Sequence, residues 1–150
     1  MASLGFDHID TRVRSVKSVE PFYDRLMPAL GLTEKTYSYL DEQGNWNEAD
    51  TTRYNIVEYC EPRQADRAFY FMGIIEDAQM QPVGTRIAFR IGPDQLDEWL
   101  KRLQDIGAHN IELSEDPEQY PAIFFEDPAG TKLEVVGRKT RPLRQAQDVV

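Results

Sequence analysis

Hydrophobic and polar residues follow two different periods at the start of the chain. From Gly5 to Arg14 they alternate, and a period of two predicts a half-buried β-strand. One face of this strand carries Ile9, Thr11 and Val13, and the other carries His8, Asp10 and Arg12. After Ser18 the apolar residues recur every three or four positions as far as Leu30, which predicts an amphipathic helix that Gly31 ends.

Three strand-like segments follow this helix, at about 34–40, 53–59 and 67–75. The polar segment 41–50 between the first two is predicted to be a loop with Trp46 at its centre, and 77–84 is predicted to be a linker. Such an exposed loop tryptophan is typical of a lid or of a contact between subunits.

The same order of elements then begins again. The stretch RIAFRI at 86–91 alternates like the first strand, and a second helix opened by Gly92-Pro93-Asp94 ends at Gly107. Strands are predicted at 110–113, 122–125 and 132–136, with a tight turn at 127–130. The sequence therefore predicts one α+β domain in which two βαβββ modules in tandem form curved mixed sheets around a shared cleft. Module 1 spans 5–76, a linker 77–84, module 2 85–137, and a basic tail 138–150.

A carboxylate stands at an unusual place in the last predicted strand. Leu133 and Val135 share one face, while Glu134 shares the other with Lys132 and Val136. Glu134 is thus expected on an interior strand, where a carboxylate needs a partner.

Charge and cysteine content exclude several classes of function. A net charge of −9 argues against nucleic acid as a partner, because phosphate binding requires a basic surface. Cys60 is the only cysteine, so no internal disulfide can form and a reducing compartment is expected. The N-terminus does not look like a secretory signal, and no segment approaches the ~20 apolar residues of a membrane span. A cytoplasmic protein without a membrane partner is the expectation.

Three stretches in this order resemble the vicinal oxygen chelate (VOC) superfamily of glyoxalase I, bleomycin-resistance proteins and extradiol dioxygenases. They are DHIDTRV before the helix SVEPFYDRLMPALGL, then GTRIAFRI, and finally FFEDPAGTKLEVV. The resemblance covers about 5–137 and implies two βαβββ modules around a metal-bearing cleft. By resemblance, His8 and Glu134 hold metal-ligand positions for a divalent ion such as zinc, nickel, manganese or iron. A homodimer is also implied.

The chain departs from this pattern at Arg86, which stands where the family offers a further ligand. A guanidinium stays protonated and cannot coordinate a cation. Tyr70 falls roughly where the first-module counterpart of Glu134 is expected. Two functions therefore stay open. One is a lyase, isomerase or dioxygenase that uses His8 and Glu134 to hold a metal, and the other is a metal-free small-molecule-binding protein in which Arg86 pairs with Glu134. Whether the chain is an enzyme is open, and no catalytic residue is identified.

The remaining polar positions suggest a ligand class. An anionic small molecule fits the arginines of the inner face, because Arg offers planar bidentate donors. The candidate binding residues are Arg86, Asp10, Tyr70 and Arg90, while the alternative is that Arg12, Arg90 and Lys132 are solvated near strand ends. The tyrosines of module 1 either line a pocket or pack in the core.

Overall fold

The structure is a computed structural model that describes residues 5–65 and 69–139. In that part of the chain the elements of module 1 are β1 (His8–Val13), α1 (Val16–Ala29), β2 (Glu34–Leu40), β3 (Trp46–Glu48), β4 (Ile56–Cys60) and β5 (Phe71–Glu76). Those of module 2 are β6 (Arg86–Arg90), α2 (Leu96–Asp105), β7 (His109–Leu113), β8 (Ala122–Glu126) and β9 (Lys132–Val136). Within these residues, no helix is both long and apolar enough to span a bilayer.

Each module forms its own sheet with the same internal order. The first sheet runs β1-β5-β4-β2-β3 and the second runs β6-β9-β8-β7. In both, the first strand lies at an edge and pairs in parallel with the last strand, whereas the other pairs are antiparallel. This repeated topology confirms the predicted α+β fold of two tandem modules.

Module 1 contains one strand more than the predicted three after its helix. β3 lies in the segment predicted as a loop and pairs with the end of β2. Its residues are polar or exposed, so they carry no apolar alternation that could reveal a strand. Trp46 is therefore on a short edge strand, with 48% of its surface exposed.

The helices and several strands begin at residues other than those predicted. α1 starts after Ser15, and the hydroxyl of Ser18 donates to the Ser15 carbonyl inside the first turn. α2 starts only at Leu96, because the Gln95 side chain accepts a hydrogen bond from the Gly92 N–H and residues 93–94 form a turn. β4 starts at 56 rather than 53, and β5 at 71, whereas 67 lies outside the described residues.

Both helices pack on the apolar faces of the sheets and form one core. β1 shows the reason, since Ile9, Thr11 and Val13 are half-buried or buried while the intervening residues are exposed. α1 also joins the modules: the Tyr23 hydroxyl donates to Oδ2 of Asp127 at 2.6 Å, and Arg25 donates to the Asp105 carbonyl at 2.7 Å. The opposite, polar sheet faces carry the predicted cleft residues.

Candidate functional site

Glu134 lies in the middle of the second sheet and is shielded from solvent. On β9 it pairs with Ala88 of β6 and with Phe124 of β8, and only 6% of its surface is exposed. Its Oε1 accepts a 2.5 Å hydrogen bond from the hydroxyl of Tyr120. This bond, together with burial and the nearby negative charge, raises the pKa of Tyr120, although Arg138 and Arg86 act in the opposite direction. Glu134 therefore has a neutral donor as its partner.

The loop before β8 holds Tyr120 in place. Its N–H donates to the Asp116 carbonyl at 2.8 Å, and its own carbonyl accepts from the hydroxyl of Ser114. The Ser114 N–H in turn donates to the Ala122 carbonyl at 3.0 Å. Because these bonds close the loop and join its two ends, they hold the phenol beside Glu134.

Guanidinium groups surround this pair. Arg86 lies 4.5 Å from the centre of the Phe124 ring, and Arg138 lies 5.2 Å from the centre of the Tyr120 ring. A groove of about 640 Å³ beside Tyr120 is lined by Arg90, Arg138 and Lys139, and also by Glu118. A second groove on the other side of Tyr120 contains Arg86 together with acidic residues. Among the described residues, none of these four cations forms an ion pair with a carboxylate.

The predicted ion pair between Arg86 and Glu134 is wrong for this structure. Arg86 is opposite Lys132 in the sheet, two register pairs away from Glu134, and its guanidinium lies over the Phe124 ring. The buried carboxylate is satisfied by Tyr120, which the sequence interpretation missed. The register of the β8–β9 hairpin indicates this position of Tyr120. Residue 124 pairs with 134 and residue 122 with 136, so the next pair on the same face would place Tyr120 opposite Arg138 and on the side of Glu134.

His8 lies on the polar face of the first sheet. Its Nδ1 donates to Oδ1 of Asp7 at 2.5 Å, its Nε2 is 3.7 Å from Oδ2 of Asp10, and its ring stacks on Phe71 at 4.5 Å. The pKa of His8 is raised above its ordinary value, chiefly by the hydrogen bond to Asp7. Desolvation is the next largest influence and lowers it, while the negative charges of Asp10, Asp7 and Glu58 raise it further.

Tyr70 does not occupy the predicted position. The first and last strands of each module pair in parallel, with Asp10 opposite Gly73 in module 1 and Ala88 opposite Glu134 in module 2. Since Asp10 and Ala88 are both the third residue of the first strand, the counterpart of Glu134 in module 1 is Gly73. Asp10 lies over this glycine, where an added Cβ would overlap its Oδ1. Tyr70 instead precedes β5 and packs against the core, and burial raises its pKa.

The other aromatic residues of module 1 serve mainly in packing. Tyr59 is buried and donates to Asp24, while Tyr37 and Tyr54 contact each other edge-on and pack against the core. Cys60 is buried, and desolvation raises its pKa. Of the predicted basic tail, Arg138 contacts Tyr120 and Lys139 lines the groove, whereas 140–150 lie outside the described residues.

The possible donors in the described part of one chain do not fit a metal centre. His8 and Glu134 lie on different sheets, and each already has a partner within its own sheet or loop. Within the described residues, no group of three or more His, Cys, Asp or Glu side chains is arranged to hold a metal. The exposed cation of Arg86 on the same face as Glu134 would also repel a divalent ion.

No protein-family model matches the sequence. Several solved structures do match. A variant of the FosX fosfomycin resistance protein of Listeria monocytogenes, complexed with Mn(II) and 1S,2S-dihydroxypropylphosphonic acid, is 17% identical, with a TM-score of 0.58 over 92% of this chain and 93% of that chain. FosX of Mesorhizobium loti is 14% identical, with a TM-score of 0.57 over 92% and 95% of the two chains.

An integron cassette protein from the mobile metagenome of the Halifax Harbour sewage outfall also matches. It is 17% identical, with a TM-score of 0.57 over 91% of this chain and 100% of that chain. At these identities the likeness concerns the fold. It confirms the resemblance drawn from the three sequence stretches, because the chain has the VOC fold that these proteins share.

Proposed function

We propose that this VOC-fold chain binds a small anionic molecule on the polar face of module 2, and that Arg86 makes its metal site degenerate. The proposal rests on the cations around the Tyr120–Glu134 pair, which have no carboxylate partner among the described residues. In a chain of net charge −9, basic side chains would readily find carboxylates if charge pairing were their only role. Here Arg86 and Arg138 stack on aromatic rings, which leaves their N–H edges available to a ligand.

The groove lined by Arg90, Arg138 and Lys139 is the proposed seat of the anion. The hydroxyl of Tyr120 and the guanidinium of Arg86 border the ligand on the other side. Asp10 belongs to the other sheet, where it contacts His8, so a role for it requires that the first sheet also faces the ligand.

The first probes follow from the neighbours: FosX of L. monocytogenes has been seen with 1S,2S-dihydroxypropylphosphonic acid and with sulfate. We expect metal-free protein to bind one of these anions saturably in isothermal titration calorimetry. Arg90→Gln and Arg138→Gln should each weaken binding about two- to fivefold, as expected for partly solvated ion pairs. Lys101→Gln, on the exposed face of α2, is the matched control and should leave the affinity unchanged. Binding that requires added metal would contradict the proposal.

A second candidate is a divalent-metal-dependent lyase, isomerase or dioxygenase that uses His8 and Glu134. It is favoured by the Mn(II) in FosX of the same fold. Because the described residues of one chain contain no group of three possible donors, this candidate requires donors from a second copy. The metal-dependent candidate therefore requires a homodimer, whereas the anion-binding proposal does not. Light scattering should then give twice the 17.3 kDa of the chain.

Elemental analysis separates the two candidates. Under the anion-binding proposal, the native protein should retain less than one metal ion per chain after loading with manganese, zinc, nickel or iron and desalting. Arg86→His restores a ligand type at this position and should retain more metal. Stoichiometric metal in the native chain that is lost in Glu134→Ala would support the second candidate instead.

A further inference from the structure

The geometry points to a second ligand site, an inter-module cavity that takes a small amphipathic monoanion such as a medium-chain fatty acid. This cavity of about 310 Å³ lies between the free edge of β1, the linker 77–84, the start of β6 and the turn between β8 and β9. Its size and its place between two modules are typical of small-molecule sites. His8, Arg86, Tyr120 and Glu134 do not line it, so it is separate from the site proposed above.

The apolar wall of the cavity comes from the sheet faces opposite the polar site. Ile9, Thr11 and Val13 alternate with His8 and Asp10 along β1, and they line the cavity from the core side. Ile87 belongs to the same side of the second sheet, because it pairs with the fully buried Leu133. Met80, Pro82, Val83 and Ala129 complete this surface. An aliphatic or aromatic body would therefore be removed from water there.

The linker that closes the cavity is held at both ends. Arg14 donates through Nε to the Met80 carbonyl at 2.8 Å and through Nη2 to Gln81 at 2.7 Å, and the Asp77 N–H donates to the Val13 carbonyl at 2.8 Å. On the other side, Pro82 packs against Gly130, where an added Cβ would lie 3.3 Å from Pro82 Cγ. These contacts make the cavity a preformed feature of the fold.

The charged groups at the cavity select for one negative charge. Arg12 and Lys132 line it, and neither pairs with a carboxylate among the described residues. The two carboxylates that also line it are engaged elsewhere: Asp10 lies over Gly73 near His8, and Asp77 accepts the Gln79 N–H. Arg14 is used by the linker. A ligand with an apolar body and a single anionic head would contact both the apolar wall and these two cations, which have no carboxylate partner among the described residues.

Three probes of equal chain length test the proposal: octanoate, octanol and octylammonium. They are titrated into the native protein with amide chemical shifts as the readout. We expect saturable binding of octanoate, with shift changes grouped at 9–13, 80–87 and 129–132, and weaker binding of octanol and octylammonium. Arg12→Gln and Lys132→Gln should each lower octanoate affinity about two- to fivefold, as for solvent-exposed ion pairs. The same series on Lys101→Gln, on the exposed face of α2, should match the native protein.

A steric pair of variants locates the ligand. Val83 lines the cavity and is 57% exposed, so Val83→Trp should fill the space from the linker and abolish octanoate binding. Leu113→Trp, at a 44% exposed position on β7 outside the cavity, should bind like the native chain. Unchanged thermal unfolding verifies that each variant is folded, and the two charge variants test the site independently of Val83. The proposal would be overturned by any of three results. These are an unchanged octanoate affinity in folded Val83→Trp, binding of octylammonium as tight as that of octanoate, and the absence of saturable octanoate binding to the native protein.

Discussion

Two buried carboxylates of the described chain, Asp127 and Glu134, lie on one hairpin, and each accepts a hydrogen bond from a tyrosine hydroxyl. Their settings differ. Asp127 follows β8 and also accepts the N–H groups of Ala129 and Thr131, so it shapes the turn. Glu134 faces the polar side of the sheet among guanidinium groups, and its Oε1 accepts the hydroxyl of Tyr120. The first carboxylate is structural, whereas the second borders the proposed ligand site.

Tyr23→Phe should lower the free energy of unfolding by about 1–3 kcal/mol, because Oδ2 of the fully buried Asp127 loses its donor. Tyr54→Phe removes the same chemical group but leaves a half-buried Glu20 that still has Lys35. This control should lose less than about 1 kcal/mol. Urea unfolding measures both values, and equal losses would contradict the assigned role of burial.

His8 should titrate in an NMR experiment with a pKa above its ordinary 6.5, and Asp7→Asn should lower that pKa. The folded state favours protonated His8, so the associated stability is present below pH 6.5 and is lost as the pH rises through the raised pKa. Any metal that uses His8 needs the neutral ring, so such binding would weaken as the pH falls through the same value. A His8 pKa that does not respond to Asp7→Asn would show that the hydrogen bond is not the cause.

At the scale of elements, two glycines mark close approaches of different kinds. Gly73 lies in β5, where the side chain of Asp10 covers it. Gly137 follows β9 and lies against the turn before α2, and its N–H donates to the Pro121 carbonyl at 2.8 Å. The first neighbour is the end of a movable side chain, whereas the second is backbone.

Gly137→Ala should therefore destabilise the protein by about 1–3 kcal/mol, the usual cost of overpacking. Its Cβ would lie 2.8 Å from Pro93 Cα and 2.9 Å from the Gly92 carbonyl oxygen. Gly73→Ala is the matched control: we expect a smaller loss, because Asp10 can turn aside, together with a changed environment of His8. Differential scanning calorimetry and the His8 ring resonances provide the two readouts. If Gly73→Ala proved the costlier change, the distinction between backbone and side-chain neighbours would be wrong.

At the scale of the whole molecule, α1 links the modules. It belongs to module 1 in sequence, yet Tyr23 and Arg25 bond to module 2, and one hydrophobic core includes residues of both. Because the two sheets share this core, we expect the chain to unfold in a single cooperative step.

Trp46→Phe allows a direct test, because it leaves Trp99 of α2 as the only tryptophan. Fluorescence then reports on module 2, while far-ultraviolet circular dichroism is weighted toward α1, the longer of the two described helices. The two signals should give the same urea midpoint. Separate midpoints would show that the modules unfold independently.

Much of the fold was predictable because it depends on local periodicity. Three features that are visible in the sequence recur in the structure: the alternation in β1 and β6, the apolar stripes of both helices, and the turn at 127–130. The short β3 was missed because an exposed edge strand needs no apolar pattern. The start of α2 was misplaced because Gln95, rather than Pro93, ends the preceding turn.

The amino-acid sequence by itself determined the two-module fold and the solitary position of Glu134 on a buried strand, since both follow from the period of apolar residues. The tertiary structure alone decided what Glu134 faces. A sequence pattern assigns residues to a face but does not establish which side chain in a neighbouring loop reaches it, and here Tyr120 arrives from the loop before β8. Arg86 shares the face, yet the position of Phe124 draws its guanidinium onto a ring instead of onto the carboxylate.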